Sequence, residues 1–155
     1  MIEHFRNILG IMLLQAFLVL AALFVASPTF GTPLFQNYIS VDDWEAWSRT
    51  FLERAIATIV IALLLCSIWY ALAQWMFKVD RWEKSDKRVV WATFAAFALL
   101  ACMVAAYFSA QVQGGNLVFL FFVVVFLLGF WVATICFSPS SHKYAPLLAK
   151  AVRRW

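Results

Sequence analysis

The 155-residue chain is 65% hydrophobic, 18% aromatic and only 13% charged, with a formal net charge of +4. Soluble domains average roughly 45–50% apolar and about 25% charged residues, so the composition argues for an integral membrane protein and against a soluble one. A basic balance in a soluble protein suggests nucleic acid; here the basic residues gather beside apolar runs, where they set orientation instead, and no nucleic acid partner is expected.

A helix needs about 20 apolar residues to cross the hydrocarbon core of a bilayer. Four runs meet that need: residues 8–27, 55–77, 89–110 and 117–137. None contains Asp, Glu, Lys, Arg or His. Their length and continuity exclude barrel strands, which alternate over about 10 residues. The expected fold is an all-α, four-transmembrane-helix bundle, read as a single membrane domain over residues 1–155.

The first run, Ile8 to Ser27, ends at Pro28. It exceeds the apolar region of about 7–15 residues in a secretory signal, and Pro28 directly after Val25-Ala26-Ser27 hinders cleavage there. It reads as a retained anchor. Gln15 lies near its middle; a glutamine in lipid seeks a partner, as helix-to-helix glue or as the lining of a polar pocket.

The outer loop is expected over residues 28–54. Pro28, Gly31 and Pro33 break structure, while Phe30, Leu34 and Phe35 make it unusually apolar. It reads as folding back on the bundle or meeting a partner. Ser40 reads as a helix N-cap, with Asp43 at the capping-box position. From there Trp44, Trp47 and Phe51 share one face of an amphipathic helix that leads into the second span. Aromatic residues favour the headgroup level, so these three, with Trp155, are expected as interface anchors; a partner-binding patch is the other use of the same face. Glu45–Arg49 and Arg49–Glu53 have the i,i+4 spacing of helical ion pairs.

The second span carries Gln74 near its inner end. The inner loop, residues 78–88, holds Lys78, Arg81, Lys84, Lys87 and Arg88, with Asp80–Lys84 and Glu83–Lys87 spaced as helical pairs. It reads as a solvated helical extension of the spans on either side.

The third span has eight Leu, Ile, Phe or Val residues, against sixteen in the fourth. Its insertion drive is weaker, and its small residues are regularly placed. Ala98, Cys102, Ala106 and Ala110 recur every four residues, and Ala101, Ala105 and Ser109 form an adjacent stripe. That spacing lets helices approach closely, as packing within this chain or as a face for another. Gln111 to Asn116 reads as a tight turn using Gly114 and Gly115. The fourth span is strongly lipid-seeking and is closed by Ser138 and Pro139.

The tail, residues 138–155, carries Lys143, Lys150, Arg153 and Arg154. Leu147, Leu148, Ala151, Val152 and Trp155 suggest a short basic amphipathic helix suited to anionic lipid. The basic excess of the inner loop and tail places both termini in the cytoplasm. Absence of a basic transit segment favours the bacterial inner membrane over the mitochondrial one.

Chemistry-bearing patterns are sparse. An ionisable group inside a span is a functional site by default, and the spans hold none. His4 and His142 lie outside them. Cys66, Cys102 and Cys136 are odd in number, with no C-x-x-C, which disfavours a disulfide framework or zinc site. No catalytic, cofactor-binding or metal-ligating set is expected. The sequence therefore points to a non-catalytic subunit or accessory protein of a larger bacterial inner-membrane complex, with other membrane subunits or copies of itself as partners. Its alternatives are a homo-oligomeric pore or membrane-perturbing effector, and a lipid-modifying enzyme acting through outer-loop acids.

Overall fold

The computed structural model of the protein describes residues 2–75, 84–109, 115–138 and 146. The architecture is all-helical. It comprises α1 (Ile2–Ala26), a short α2 (Gly31–Phe35), α3 (Trp44–Trp75), α4 (Lys84–Ser109), and a last rod built of α5 (Gly115–Phe126), a π-helical segment (Leu127–Val132) and α6 (Ala133–Phe137). Four rods are long and apolar enough to cross a membrane. Each overlaps one of the four apolar runs, with α1 and α3 beginning earlier, at Ile2 and Trp44; a helix satisfies every backbone group within its own segment.

The rods alternate in direction. We call lower the end that holds Ile2, Trp75, Lys84 and Phe137, and upper the opposite end. α1 packs on α3, α3 on α4, and α4 on α5; the π segment and α6 then lie against α1 and close the bundle. At that closure Gly10 lies under the ring of Phe137, which a Cβ there would overlap.

The core has two layers. The upper one joins Leu18, Ala22, Phe51, Ala55, Ile59, Cys102, Ala106 and Phe122. The lower one joins Ile11, Cys66, Trp69, Trp91, Ala98 and Phe130. Outside, α1 exposes Met12, Leu13, Phe17 and Leu20, and α4 exposes Phe97, Leu100, Met103 and Tyr107. An outward surface this apolar is unfavourable in water.

On α4, Ala98, Cys102, Ala105 and Ala106 are buried within the bundle and Ala101 is half-buried. Cys102, Ala105 and Ala106 share the upper layer with Val118 and Phe122 of α5. Ser109 is the last residue of α4.

Several local expectations change. The N-cap of α3 is Asp43, not Ser40: its Oδ1 accepts the Ala46 N–H at 3.0 Å and its carbonyl accepts the Trp47 N–H at 3.1 Å. The acid supplies both the cap and a charge at the positive helix end, so the helix starts later. α3 then runs unbroken for 32 residues. Phe51, expected as an interface anchor, is only 1% exposed. Its ring lies 5.1 Å from Phe121 and 5.9 Å from Phe122, while Trp47 stacks on it at 5.2 Å and Trp44 meets Trp47 at 4.9 Å. The aromatic face turns into the bundle because α5 offers it two rings there.

The apolar outer loop contains the single turn of α2. Pro33 sits in its first turn, where a missing N–H costs nothing. The loop folds back so that Ile39 and Phe35 join the upper core layer. Gly31 permits this: a Cβ there would collide with the Val25 carbonyl. Gly115 is not a turn residue but the first residue of α5. Met76 to Glu83, Ala110 to Gly114 and the tail with Trp155 lie outside the described residues, apart from Ser138 and Pro146.

Candidate functional site

Among the described residues, polar side chains that bond from one helix to another lie at three levels. The uppermost of these is built around the π segment. A π turn forms i→i+5 bonds and leaves a carbonyl without its usual α-helical partner. Here the carbonyl of Gly129 accepts two side-chain donors from other helices. Gln15 Nε2 donates to it at 2.6 Å from α1, and Cys66 Sγ donates at 3.2 Å from α3. Gln15 is 4% exposed, and its Oε1 is buried with no hydrogen-bond partner among the described residues. Space at Gly129 is tight: a Cβ would stand 3.1 Å from Leu18, 3.4 Å from Gln15 Oε1 and 3.5 Å from Ala62.

The second level lies nearer the lower end. Trp69 of α3 donates its indole N–H to Ser138 Oγ at 3.0 Å, and Ser138 donates in turn to the Thr134 carbonyl. Trp91 of α4 donates to Thr134 Oγ1 at 3.0 Å, and Thr134 donates to the Trp131 carbonyl at 3.0 Å. Two indoles from two helices are thus held by hydroxyls one turn apart on a third. Each hydroxyl accepts from an indole and donates to its own helix, which uses both of its functions.

The third level is the lower rim between α1 and α3. Gln74 Nε2 lies 3.3 Å from His4 Nε2, and His4 Nδ1 lies 2.8 Å from the Tyr70 oxygen. An amide nitrogen can only donate, so His4 Nε2 accepts and Nδ1 carries the proton. His4 then donates to the Tyr70 oxygen, which also hydrogen-bonds the Asn7 side chain. Asn7 is buried on the same helix.

Two of the grooves on the described surface lie beside α1. One, of about 370 Å³, is almost wholly apolar and lies toward the upper end between Phe17 and Val25 of α1, Phe35, Trp47, and Phe121 and Val124 of α5. The other, of about 280 Å³, lies between α1 and α3 beside the lower rim, among Ile8, Met12, Leu63, Tyr70 and Gln74.

Gln15 and Gln74, singled out in the sequence, therefore fall at different levels with different partners. Trp44 and Trp47 are half-buried at the start of α3, and Trp44 Nε1 is buried with no hydrogen-bond partner among the described residues. Sequence reasoning passed over Cys66 as a donor, Gly129, the two indole–hydroxyl pairs and the His4–Tyr70 contact. A partial signal exists: an indole inside an apolar run needs a partner for its N–H, and Thr134 and Ser138 are the hydroxyls at i,i+4 that serve. Among the described residues, no group of three or more His, Cys, Asp or Glu side chains is placed to hold a metal ion. Chemically, the interior levels pair donors with acceptors across helix boundaries.

Compared with known proteins, the chain matches no protein family, no curated sequence and no solved structure.

Proposed function

We propose that the chain is an integral, non-catalytic subunit or accessory protein of a larger bacterial inner-membrane complex. Four rods long and apolar enough to cross a membrane point to a membrane protein. The observation that carries the subunit reading is the use of the interior polar groups. Gln15, Cys66, Trp69 and Trp91 each bond to the last rod from another helix. They serve as ties that hold four helices in one arrangement, which suits a part that presents a fixed outer surface to neighbours.

In this reading both termini face the cytoplasm. Other membrane subunits or further copies of the chain cover part of the apolar exterior. Anionic lipid meets the basic tail. Reconstituted alone in liposomes, the pure protein is expected to leave an entrapped dye in place. Dye release at low protein-to-lipid ratio would instead favour a pore that several copies enclose.

A further inference from the structure

The lower crevice between α1 and α3 has the build of an amphiphile site, and neither the fold nor the subunit reading accounts for it. Its walls are apolar along Ile8, Ile11, Met12 and Leu63. Its rim carries Tyr70 and Gln74, fixed by His4 from the opposite helix. The Tyr70 oxygen is held by His4 and Asn7 of α1, while the Gln74 amide keeps a second N–H beyond the one directed at His4. The rim therefore offers a donor to an acceptor-rich head, directly beside a channel for a hydrocarbon chain. Its volume, about 280 Å³, is at the small end for ligand pockets and suits one chain, not a bulky ligand.

Charge selects the head. Of the twelve Lys and Arg residues, all but Arg49 and Arg54 lie before the first apolar run, between α3 and the α4 run, or after α6. Of these, Arg6 stands in the first turns of α1 and Lys84, Lys87 and Arg88 in the first turns of α4, at the lower end of the bundle. A basic end of this kind attracts anionic headgroups, each nearby cation contributing up to about 1 kcal/mol.

We propose that the α1–α3 crevice binds one anionic phospholipid of the bilayer, its acyl chain along Ile8, Met12 and Leu63 and its phosphate or ester oxygens accepting from the Gln74 amide at the rim. The site rests on the chain lying in a membrane, but not on its being a subunit.

The test uses the full-length wild-type chain in nanodiscs containing phosphatidylglycerol with a photoactivatable group on one acyl chain. Cross-linked peptides are expected to concentrate on Ile8 to Met12 and Leu63 to Trp75. Unlabelled phosphatidylglycerol should suppress them at roughly a tenth of the phosphatidylcholine concentration needed, given the cationic end. Met12→Trp fills the channel from an exposed position and should cut cross-linking there about fivefold or more, as expected when a pocket of this size loses its volume. Cross-links as dense on the exposed α4 face at Phe97, Met103 and Tyr107 as in the crevice would overturn the site. So would equal competition by phosphatidylcholine. Both of these readouts come from wild-type protein, so they decide the matter even if the Met12→Trp chain fails to fold.

Discussion

Gln15 of α1 and Gly129 of the π segment stand 114 residues apart in the chain and are joined by a single hydrogen bond of 2.6 Å, from the glutamine amide to the glycine carbonyl. That carbonyl also receives the Cys66 thiol. Three rods thus meet at one oxygen.

The shared acceptor predicts how substitutions combine. Hydrogen bonds between membrane helices average about 0.6 kcal/mol and reach about 2. Gln15→Leu removes one of two donors but also removes an unpartnered Oε1, so its cost should be about 1 kcal/mol or less. Cys66→Ala alone leaves Gln15 in place and should cost a similar amount. The double variant leaves the carbonyl with neither donor, and its loss should exceed the sum by about 0.5–1 kcal/mol. Reversible unfolding in mixed micelles would measure all three; strict additivity would mean that the two donors act independently.

Glycine substitutions should rank by what a Cβ meets. Gly→Ala inside a helix normally stabilises by about 0.5–1 kcal/mol. Gly129→Ala instead presses on Leu18 at 3.1 Å, a residue buried in the core, and should be destabilising by about 1 kcal/mol. Gly10→Ala must displace the Phe137 ring and should cost about 1–3 kcal/mol. Gly31→Ala meets the Val25 carbonyl, which is backbone, and should be the worst of the three. The melting temperatures of the purified variants test the order.

The indole pairs predict an asymmetry between partners. Ser138→Ala removes the hydroxyl that accepts the buried Trp69 N–H and should cost about 1–3 kcal/mol. Thr134→Val strands the Trp91 N–H with a similar cost, whereas Thr134→Ser keeps the hydroxyl and should recover most of it. Indole fluorescence and thermal unfolding together would report both. A Thr134→Val variant as stable as wild type, with Thr134→Ser destabilised, would assign the role to the methyl group's packing instead.

Orientation is testable with one thiol. With the native cysteines replaced, a cysteine at Ser141 should resist an impermeant reagent applied outside intact cells and react once the membrane is opened. Labelling from outside would reverse the assignment made from the basic loops.

The rods were legible because their signal is local. A run such as Leu117 to Phe137 declares a helix by length and hydropathy alone. What escaped was decided by contacts between distant segments. Nothing near Leu127 to Val132 announces a π turn; it coincides with a glycine that Leu18 and Ala62 crowd and that Gln15 and Cys66 reach. Phe51 looked like an interface aromatic because periodicity gives a face but not what that face meets, and here it meets Phe121 and Phe122. Ser40 and Asp43 are both competent caps, and only the bond to Ala46 separates them. The His4–Tyr70 contact joins a residue ahead of the first apolar run to one in the second, a pairing that neither segment reveals alone. Gln15 stood out since a polar amide in an apolar run demands a partner, although its partner did not.

The most direct test of the subunit account is native mass spectrometry of the protein released gently from its own membrane. The account predicts a defined assembly containing this chain and other polypeptides in fixed ratio. A closed ring made of this chain alone would contradict it and identify the protein as a self-assembling pore.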